Sequence, residues 1–399
     1  MAQSSAEQMR AWTGPAILSY GFRPFFFLGA LWAALAMTLW ILMLTGRLDL
    51  PIAWDPVTWH AQAFMIGYLG AIASGFLLTA VPNWTGRLPV VGWRLGGLVL
   101  LWLLGRVAVL VSAWLPWVVV MLADLAFLAA LAALTAREIV AGRNWRNLMV
   151  LALMVLLILG GALFHWEGAQ GAAAAQGAGL RLMLATAVMM IGLIGGRIVP
   201  SFTRNWLVKR GAEARPAPPM QGYDKASLLA MLAGLGLWVA LPEAAATALA
   251  LFVVAAMQAA RMARWKGGLT APEPLLLVLH LAYAFVPLGA LAMGWAILRP
   301  DDVSVATAQH LWMAGAIGLM TLAVMTRATL GHTGRELHAG AGTVALYLLL
   351  GAAVLARVAA GLWLDAAAVL QDMAGGFWAL AFLGFAALYG PLLLRPKPG

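Results

Sequence analysis

Apolar runs of about 20 residues follow one another along nearly the whole chain and constrain its fold more than any other feature. A helix needs a run of this length to cross the hydrocarbon core of a bilayer. We expect about twelve transmembrane helices, at roughly 20–45, 59–81, 95–113, 117–135, 147–165, 179–199, 226–241, 245–263, 273–297, 305–327, 342–361 and 373–394. The seventh run is short and its neighbour is ambiguous, so eleven or thirteen helices stay open. The sequence therefore predicts an all-α integral membrane protein.

Polar sequence is too sparse for a separate soluble domain, since only 10% of the residues are charged, against roughly 25% in soluble domains. We expect residues 1–399 to form a single polytopic membrane domain. Its two six-helix halves, 1–203 and 225–399, are joined by the loop 204–224. The polar start of the chain lacks the pattern of a signal peptide. The chain has no cysteine, which excludes disulfides, thiolate metal sites and iron–sulfur clusters.

The charges of the connecting segments predict the orientation of the chain. Eighteen lysines and arginines lie in the even-numbered connections and the two terminal segments, whereas only Arg47 and Arg299 lie in the odd-numbered ones. Because basic residues concentrate on the cytoplasmic side, we expect both termini in the cytoplasm. This asymmetry accounts for most of the net charge of +10, so the charge does not indicate a nucleic-acid partner.

Two charged residues fall well inside predicted helices and at equal depth. Arg106 in the third helix and Asp124 in the fourth lie at the same distance from the turn near Leu115. An unpaired charge at this depth costs at least about 2.5 kcal/mol. We therefore expect a buried ion pair, with a proton-binding or ligand-binding role as the alternative.

Three further arginines inside predicted helices have no such partner. Arg197 and Arg327 occupy matching places near the cytoplasmic ends of the sixth and tenth helices, and Arg357 lies in the eleventh. Long basic side chains near a helix end can extend to the membrane surface. Alternatively, Arg197 and Arg327 bind carboxylates or propionates of a cofactor by bidentate hydrogen bonding.

The histidines are the main candidate ligands for a metal or cofactor. They fall in three places: helix ends toward the outer leaflet (His60, His165, His310), the cytoplasmic half of the ninth helix (His280) and a cytoplasmic loop (His332, His338). Neutral imidazole suits iron and copper, and haem takes axial histidines from facing helices of a bundle. Each histidine is otherwise an ordinary hydrogen-bonded residue. We expect haem ligands among His60, His165, His280 and His310, and metal ligands among His60, His280, His310 and His332.

One stretch of the chain recurs. Trp59–Arg87 aligns with Gln309–Arg335, which pairs Gln62 with His310 and Met65 with Met313, and a weaker third copy covers Arg181–Arg204. The glycines of these copies would allow close helix approach. Duplicated packing units explain the pattern, and a shared internal site is the alternative. The methionines could ligate haem or copper, but they more often fill gaps in a core.

Several motifs together resemble the NnrS family. They are GFRPFF at Gly21–Phe26, GFLLTAVPNWTGR at Gly75–Arg87, RNWRNL at Arg143–Leu148, GGRIVPSFTRNW at Gly195–Trp206, MTRATLGHTGR at Met325–Arg335 and the ending from Tyr389 to Pro396. The resemblance covers essentially the whole chain. It implies a twelve-helix protein of the bacterial cytoplasmic (inner) membrane that carries haem and copper and takes part in the response to nitric oxide and nitrosative stress.

The chain departs from the family at the start of the second helix. The family commonly has Trp-His-Ala-His-Glu there, whereas this sequence has Gln62 and Ala63 in the last two places. Loss of an imidazole and a carboxylate leaves copper unsupported, because Gln is a poor transition-metal ligand. The resemblance carries over to His60, and its motifs also support His310 and His332.

Our leading hypothesis is a protein with one or more haem b groups that binds or detoxifies nitric oxide within the lipid bilayer. Turnover like that of a nitric oxide reductase would also need an electron donor, which no motif identifies. No catalytic residue is predicted. The alternatives are a membrane transporter, which two six-helix halves would fit, and a haem-based sensor or assembly protein without turnover.

Overall fold

The computed structural model describes residues 12–85 and 89–396, and the regular secondary structure in those ranges is helical. The first six long helices are α1 (Phe22–Leu44), α2 (Pro56–Gln62, continued to Thr85), α3 (Trp93–Leu110), α4 (Trp117–Ala141), α5 (Leu148–Ala169) and α6 (Ala178–Met190, continued to Lys209). The other six are α7 (Gly222–Ala240), α8 (Ala245–Ala263), α9 (Pro274–Leu298), α10 (Val305–His310, continued to His332), α11 (Ala341–Leu362) and α12 (Ala367–Leu394).

The predicted all-α membrane architecture is confirmed. In the described ranges, eleven of the twelve long helices are long and apolar enough to cross a membrane. The twelfth, α7, corresponds to the run that the sequence marks as short. The cytoplasmic position of the two termini stays a prediction.

Helices α2 and α10, which carry His60 and His310, begin with side-chain caps. Asp55 accepts hydrogen bonds from the backbone N–H groups of Val57 and Thr58, and Pro56 takes the first helical position. Ser304 accepts from the N–H of Thr307 at the start of α10. Such caps satisfy N–H groups that have no partner within the helix. They fix where each helix starts and therefore where each histidine lies.

All three helices that share the sequence repeat contain a π-helical segment. It spans Ala63–Tyr68 in α2, Ile191–Gly195 in α6 and Leu311–Leu319 in α10. A π segment hydrogen-bonds from i to i+5, is rare, and often occurs at functional sites. The repeat seen in the sequence thus corresponds to a shared distortion of the helix as well as to shared glycines.

The chain forms two compact units. The first unit contains the described residues of Met1–Met183, Ala328–Arg335 and Phe382–Gly399, and the second contains Leu184–Arg327 and Glu336–Ala381. In the first, α2 packs against α1 and α4, α3 against α4, and α4 against α5. In the second, α8 packs against α7 and α9, and the π segment of α10 contacts α9 and α11. The division into halves at the loop 204–224 stays a prediction.

Candidate functional site

The first unit contains the ion pair that the sequence predicts. Arg106 of α3 and Asp124 of α4 form a direct salt bridge between Nη2 and Oδ1. The two residues are 3% and 1% exposed, so each charge depends on the other for compensation. The prediction of a buried pair at equal depth is confirmed.

Two more helices contribute side chains to the same carboxylate. Gln62 Nε2 of α2 donates to Asp124 Oδ2 at 2.7 Å, and His165 Nε2 of α5 donates to the same oxygen at 2.9 Å. Asp124 therefore joins α2, α3, α4 and α5 in one buried network. Gln62 Oε1, His165 Nδ1 and two guanidinium nitrogens of Arg106 are buried without a hydrogen bond in the described residues. A proton-carrying role, the alternative raised by the sequence, stays a prediction.

The π segment of α2 lies directly beside this network. Trp32 Nε1 donates to the carbonyl of Ala63 at 2.9 Å, and Trp102 Nε1 donates to the carbonyl of Gly67 at 2.9 Å. A Cβ on Gly67 would lie 2.5 Å from Arg106 Nη1, so glycine is required for the arginine to approach the helix. The indole donors compensate carbonyls at the place where the regular i to i+4 pattern is interrupted.

The second unit contains a network that sequence reasoning missed. Arg261 Nε of α8 donates to Asp224 Oδ1 of α7 at 2.9 Å, and its Nη1 donates to the carbonyl of Gly192 in the π segment of α6 at 2.9 Å. The same nitrogen donates to Tyr283 Oη, which in turn donates to Gln258 Oε1 at 2.7 Å.

Arg261 is fully buried, although its position near the end of α8 indicated a connecting segment. The available signal was an aspartate near the start of one helix and an arginine near the end of the next, which puts opposite charges at one level of a hairpin. In each unit, a buried arginine thus lies against a π segment.

His60 lies on α2 three residues before the π segment and is partly buried. Its ring stacks on the indole of Trp40 of α1, with centroids 4.2 Å apart and planes 28° apart. The Phe64 ring lies 4.8 Å away on its own helix. These contacts restrict the rotation of the imidazole, as a ligand to iron requires.

His310 lies immediately before the π segment of α10. Its Nδ1 is 2.6 Å from the carbonyl of Ala306, one turn earlier. A carbonyl oxygen can only accept, so Nδ1 carries the proton and Nε2 carries the lone pair. Such a bond at the second nitrogen is the usual way in which proteins set the tautomer of a metal-bound histidine. His310 therefore has the chemistry of an axial ligand.

The other two predicted haem ligands, His165 and His280, each use Nε2 in a hydrogen bond. His165 Nε2 binds Asp124, as described above. His280 Nε2 donates at 2.8 Å to Thr203 Oγ1, which itself donates to the carbonyl of Val199. A Cβ on Gly267 would lie 2.7 Å from His280 Nδ1, so the backbone of Gly267 covers that side of the ring. Both ligand assignments stay predictions, and this geometry favours a structural role for His280.

His332 is the last residue of α10 and is exposed, whereas the sequence placed it in a loop. Its ring lies 5.5 Å from that of Tyr20 and 5.4 Å from that of Phe22. Tyr20 in turn donates to the carbonyl of Thr79, near the end of α2 opposite His60. Within the first unit, the structure therefore does not bring His332 and His60 together.

The two arginines proposed as propionate partners lie in different surroundings. Arg197 of α6 is exposed. The guanidinium of Arg327 lies over the ring of Phe202, 4.3 Å from its centroid, and is partly buried. Arg327 is seventeen positions after His310 on α10, about 25 Å along the helix axis. Arg327 and His310 therefore lie near opposite ends of α10.

A haem and a copper ion need different sets of ligands from a protein. Within the ranges that the structure describes, His, Asp and Glu side chains form no group of three or more that could hold a metal ion. The two residues that depart from the family pattern have other roles, since Gln62 binds Asp124 and the carbonyl of Ala63 binds Trp32. A haem supplies four iron ligands of its own and needs only one or two from the protein, which His60 would offer in the first unit and His310 in the second.

Comparison with known protein families gives one relevant finding. The family model described as NnrS protein matches residues 16–397, which is nearly the whole chain. No curated protein matches the sequence.

Proposed function

Because the chain belongs to the NnrS family, we propose that it is a haem-binding protein of the bacterial inner membrane that binds nitric oxide during nitrosative stress. The family match supports the link to nitric oxide. The eleven apolar helices support a location in the membrane. His310 and His60 are the residues that would hold the haem.

The observation that carries this proposal is the state of His310. The bond from Nδ1 to the Ala306 carbonyl directs the proton to one nitrogen and leaves the lone pair on the other. A neutral histidine of this tautomer would offer Nε2 to haem iron. His60, held by the stacked ring of Trp40, is the corresponding ligand in the first unit.

A haem held by His310 or His60 would supply the binding of nitric oxide at its iron. The protein would orient the haem and let nitric oxide reach it. Nitric oxide is small and apolar, so it reaches a site within the helices through lipid and needs no polar channel. The network around Asp124 joins α2, the helix that carries His60, to three other helices and would hold that helix in place.

The first test is an absorption spectrum of the purified full-length protein, expressed with haem supply, together with its iron and copper content. We expect a reduced-minus-oxidised spectrum of b-type haem. His310→Ala and His60→Ala should each reduce or shift the haem signal. His338→Ala is the matched control, because the His338 side chain is 63% exposed. Absence of haem from the wild-type protein would refute the proposal.

A second measurement separates binding from turnover. The reduced protein is titrated anaerobically with nitric oxide while the gas concentration is followed with an electrode. Uptake that stops at the haem stoichiometry supports a sensor or assembly role, and continued loss with supplied reductant supports an enzyme. Solute flux in proteoliposomes by a protein without haem would instead favour the transporter alternative.

A further inference from the structure

Arg357 is a cation inside a membrane-spanning helix, and it has no partner among the residues that the structure describes. It lies in α11, five residues before the end at Leu362. No side chain or carbonyl of the described residues forms a hydrogen bond or ion pair with its guanidinium, and its Nε is buried. An arginine at such a place usually pairs with a carboxylate or with backbone carbonyls. The missing partner points to an anion supplied from outside the chain.

Arg357 is partly exposed, and helix geometry sets the direction in which its side chain leaves the backbone. Side chains of an α-helix lean toward its N-terminus. In α11 that direction leads away from Leu362 and farther into the span. The Arg357 side chain therefore leaves the backbone toward the middle of the span.

The packing of α11 on α10 places Arg357 beside His310. A Cβ on Gly361 would lie 2.9 Å from Thr307 Cβ, so the two helices touch at these residues. The helices are antiparallel, since a short connection joins them. His310 lies three residues after Thr307, and Arg357 lies four residues before Gly361. Steps of three and four residues return to the same helix face. His310 and Arg357 therefore both lie on the faces through which α10 and α11 touch. Because the two steps are nearly equal in length, both residues also lie at nearly the same depth in the membrane.

We infer that Arg357 and His310 form one ligand site in the second unit, in which Arg357 binds a carboxylate of a porphyrin whose iron is ligated by His310. This inference rests on the proposed function. It gives Arg357, for which the sequence indicated no partner, a porphyrin carboxylate as its counter-ion. Planar guanidinium groups bind carboxylates through two parallel hydrogen bonds. Arg327, near the other end of α10, is not at this depth.

The test compares haem with its dimethyl ester, in which both propionate carboxylates are blocked. Binding to the haem-free full-length protein is titrated in nanodiscs of zwitterionic phosphatidylcholine. We expect the wild-type protein to bind haem at least tenfold more tightly than the ester, and Arg357→Gln to lose most of that preference while its affinity for the ester is unchanged. Arg357→Lys should keep part of the preference, since it keeps the charge but not the paired donors.

Arg197→Gln is the matched control, because Arg197 is an exposed arginine of the same unit. It should keep the wild-type preference. Unchanged binding of the ester by Arg357→Gln shows that the variant is folded. An equal preference for haem over the ester in wild type and Arg357→Gln would overturn the inference and leave the proposed function standing.

Metal-free protoporphyrin IX and its dimethyl ester separate the two proposals. A preference of the wild-type protein for the free acid, lost in Arg357→Gln, would support the carboxylate site even if haem iron is not ligated. A lipid phosphate is the other source of an anionic oxygen. If anionic phosphatidylglycerol abolishes the preference in wild type and leaves Arg357→Gln unaffected, the site belongs to a lipid headgroup and the inference is overturned.

Discussion

The stability of the first unit should depend strongly on the side chain of Asp124. It compensates Arg106 and accepts hydrogen bonds from Gln62 and His165. Asp124→Asn would leave Arg106 buried without a counter-charge, so we expect a loss of stability of about 3–5 kcal/mol. The measurement is thermal unfolding of the detergent-solubilised protein. Glu243→Gln, which removes an exposed carboxylate, should have no effect.

A second variant tests the same reasoning. Replacing both members of the pair, with Arg106→Met and Asp124→Leu together, should recover most of the stability lost in Asp124→Asn, because no unpaired charge is left. If the single variant Asp124→Asn is as stable as the wild-type protein, the ion pair does not hold the helices together.

His280 should behave as a structural residue. Its hydrogen bond to Thr203 joins α9 to α6. We expect His280→Gln to retain the haem spectrum and to lose roughly 0.5–1.5 kcal/mol of stability. Thr203→Val should cost a similar amount, and the double variant should cost less than the two single losses combined. Loss of the haem signal in His280→Gln alone would make this residue a ligand.

At the scale of the element, the π segment of α2 is the feature that can be tested most directly. Gly67→Ala would bring a methyl group to 2.5 Å from both Arg106 Nη1 and Trp32 Nε1. We expect a loss of about 1–3 kcal/mol, typical of added volume in a packed core. Gly97→Ala is the control, because no atom lies within 4 Å of that position, and it should be neutral or stabilising by up to about 1 kcal/mol. Equal effects of the two variants would contradict the close approach.

The sequence predicts helices better than it predicts their internal geometry. Hydropathy locates the eleven long apolar helices, because burial in lipid requires a continuous apolar run. The seventh run is short, so its helix, α7, is the uncertain one. Hydropathy does not predict the π segment at Ala63–Tyr68, because that distortion depends on donors from other helices, Trp32 and Trp102. The equal depth of Arg106 and Asp124 in neighbouring helices predicts that these two residues pair. It does not predict His165 or Gln62 as further partners of Asp124, since hydrophobicity says nothing about which way a polar side chain turns.

At the scale of the whole molecule, the predicted orientation can be tested in the native sequence background. The chain has no cysteine, so single cysteines can be introduced without removing any. Ala214→Cys lies in the central loop and Asp301→Cys in the connection between α9 and α10, and both positions are exposed. If both termini are cytoplasmic, a membrane-impermeant maleimide should label Asp301→Cys in intact spheroplasts. It should label Ala214→Cys only after lysis, and the opposite pattern would reverse the orientation.

The π segments also change how positions along α2, α6 and α10 should be compared. A turn that holds an extra residue rotates everything after it by about 100° relative to a regular helix. A helical wheel drawn straight through α10 therefore assigns the wrong face to every residue beyond Leu319. Crosslinking pairs or lipid-facing labels for these three helices should be chosen from separate wheels before and after the wide turn.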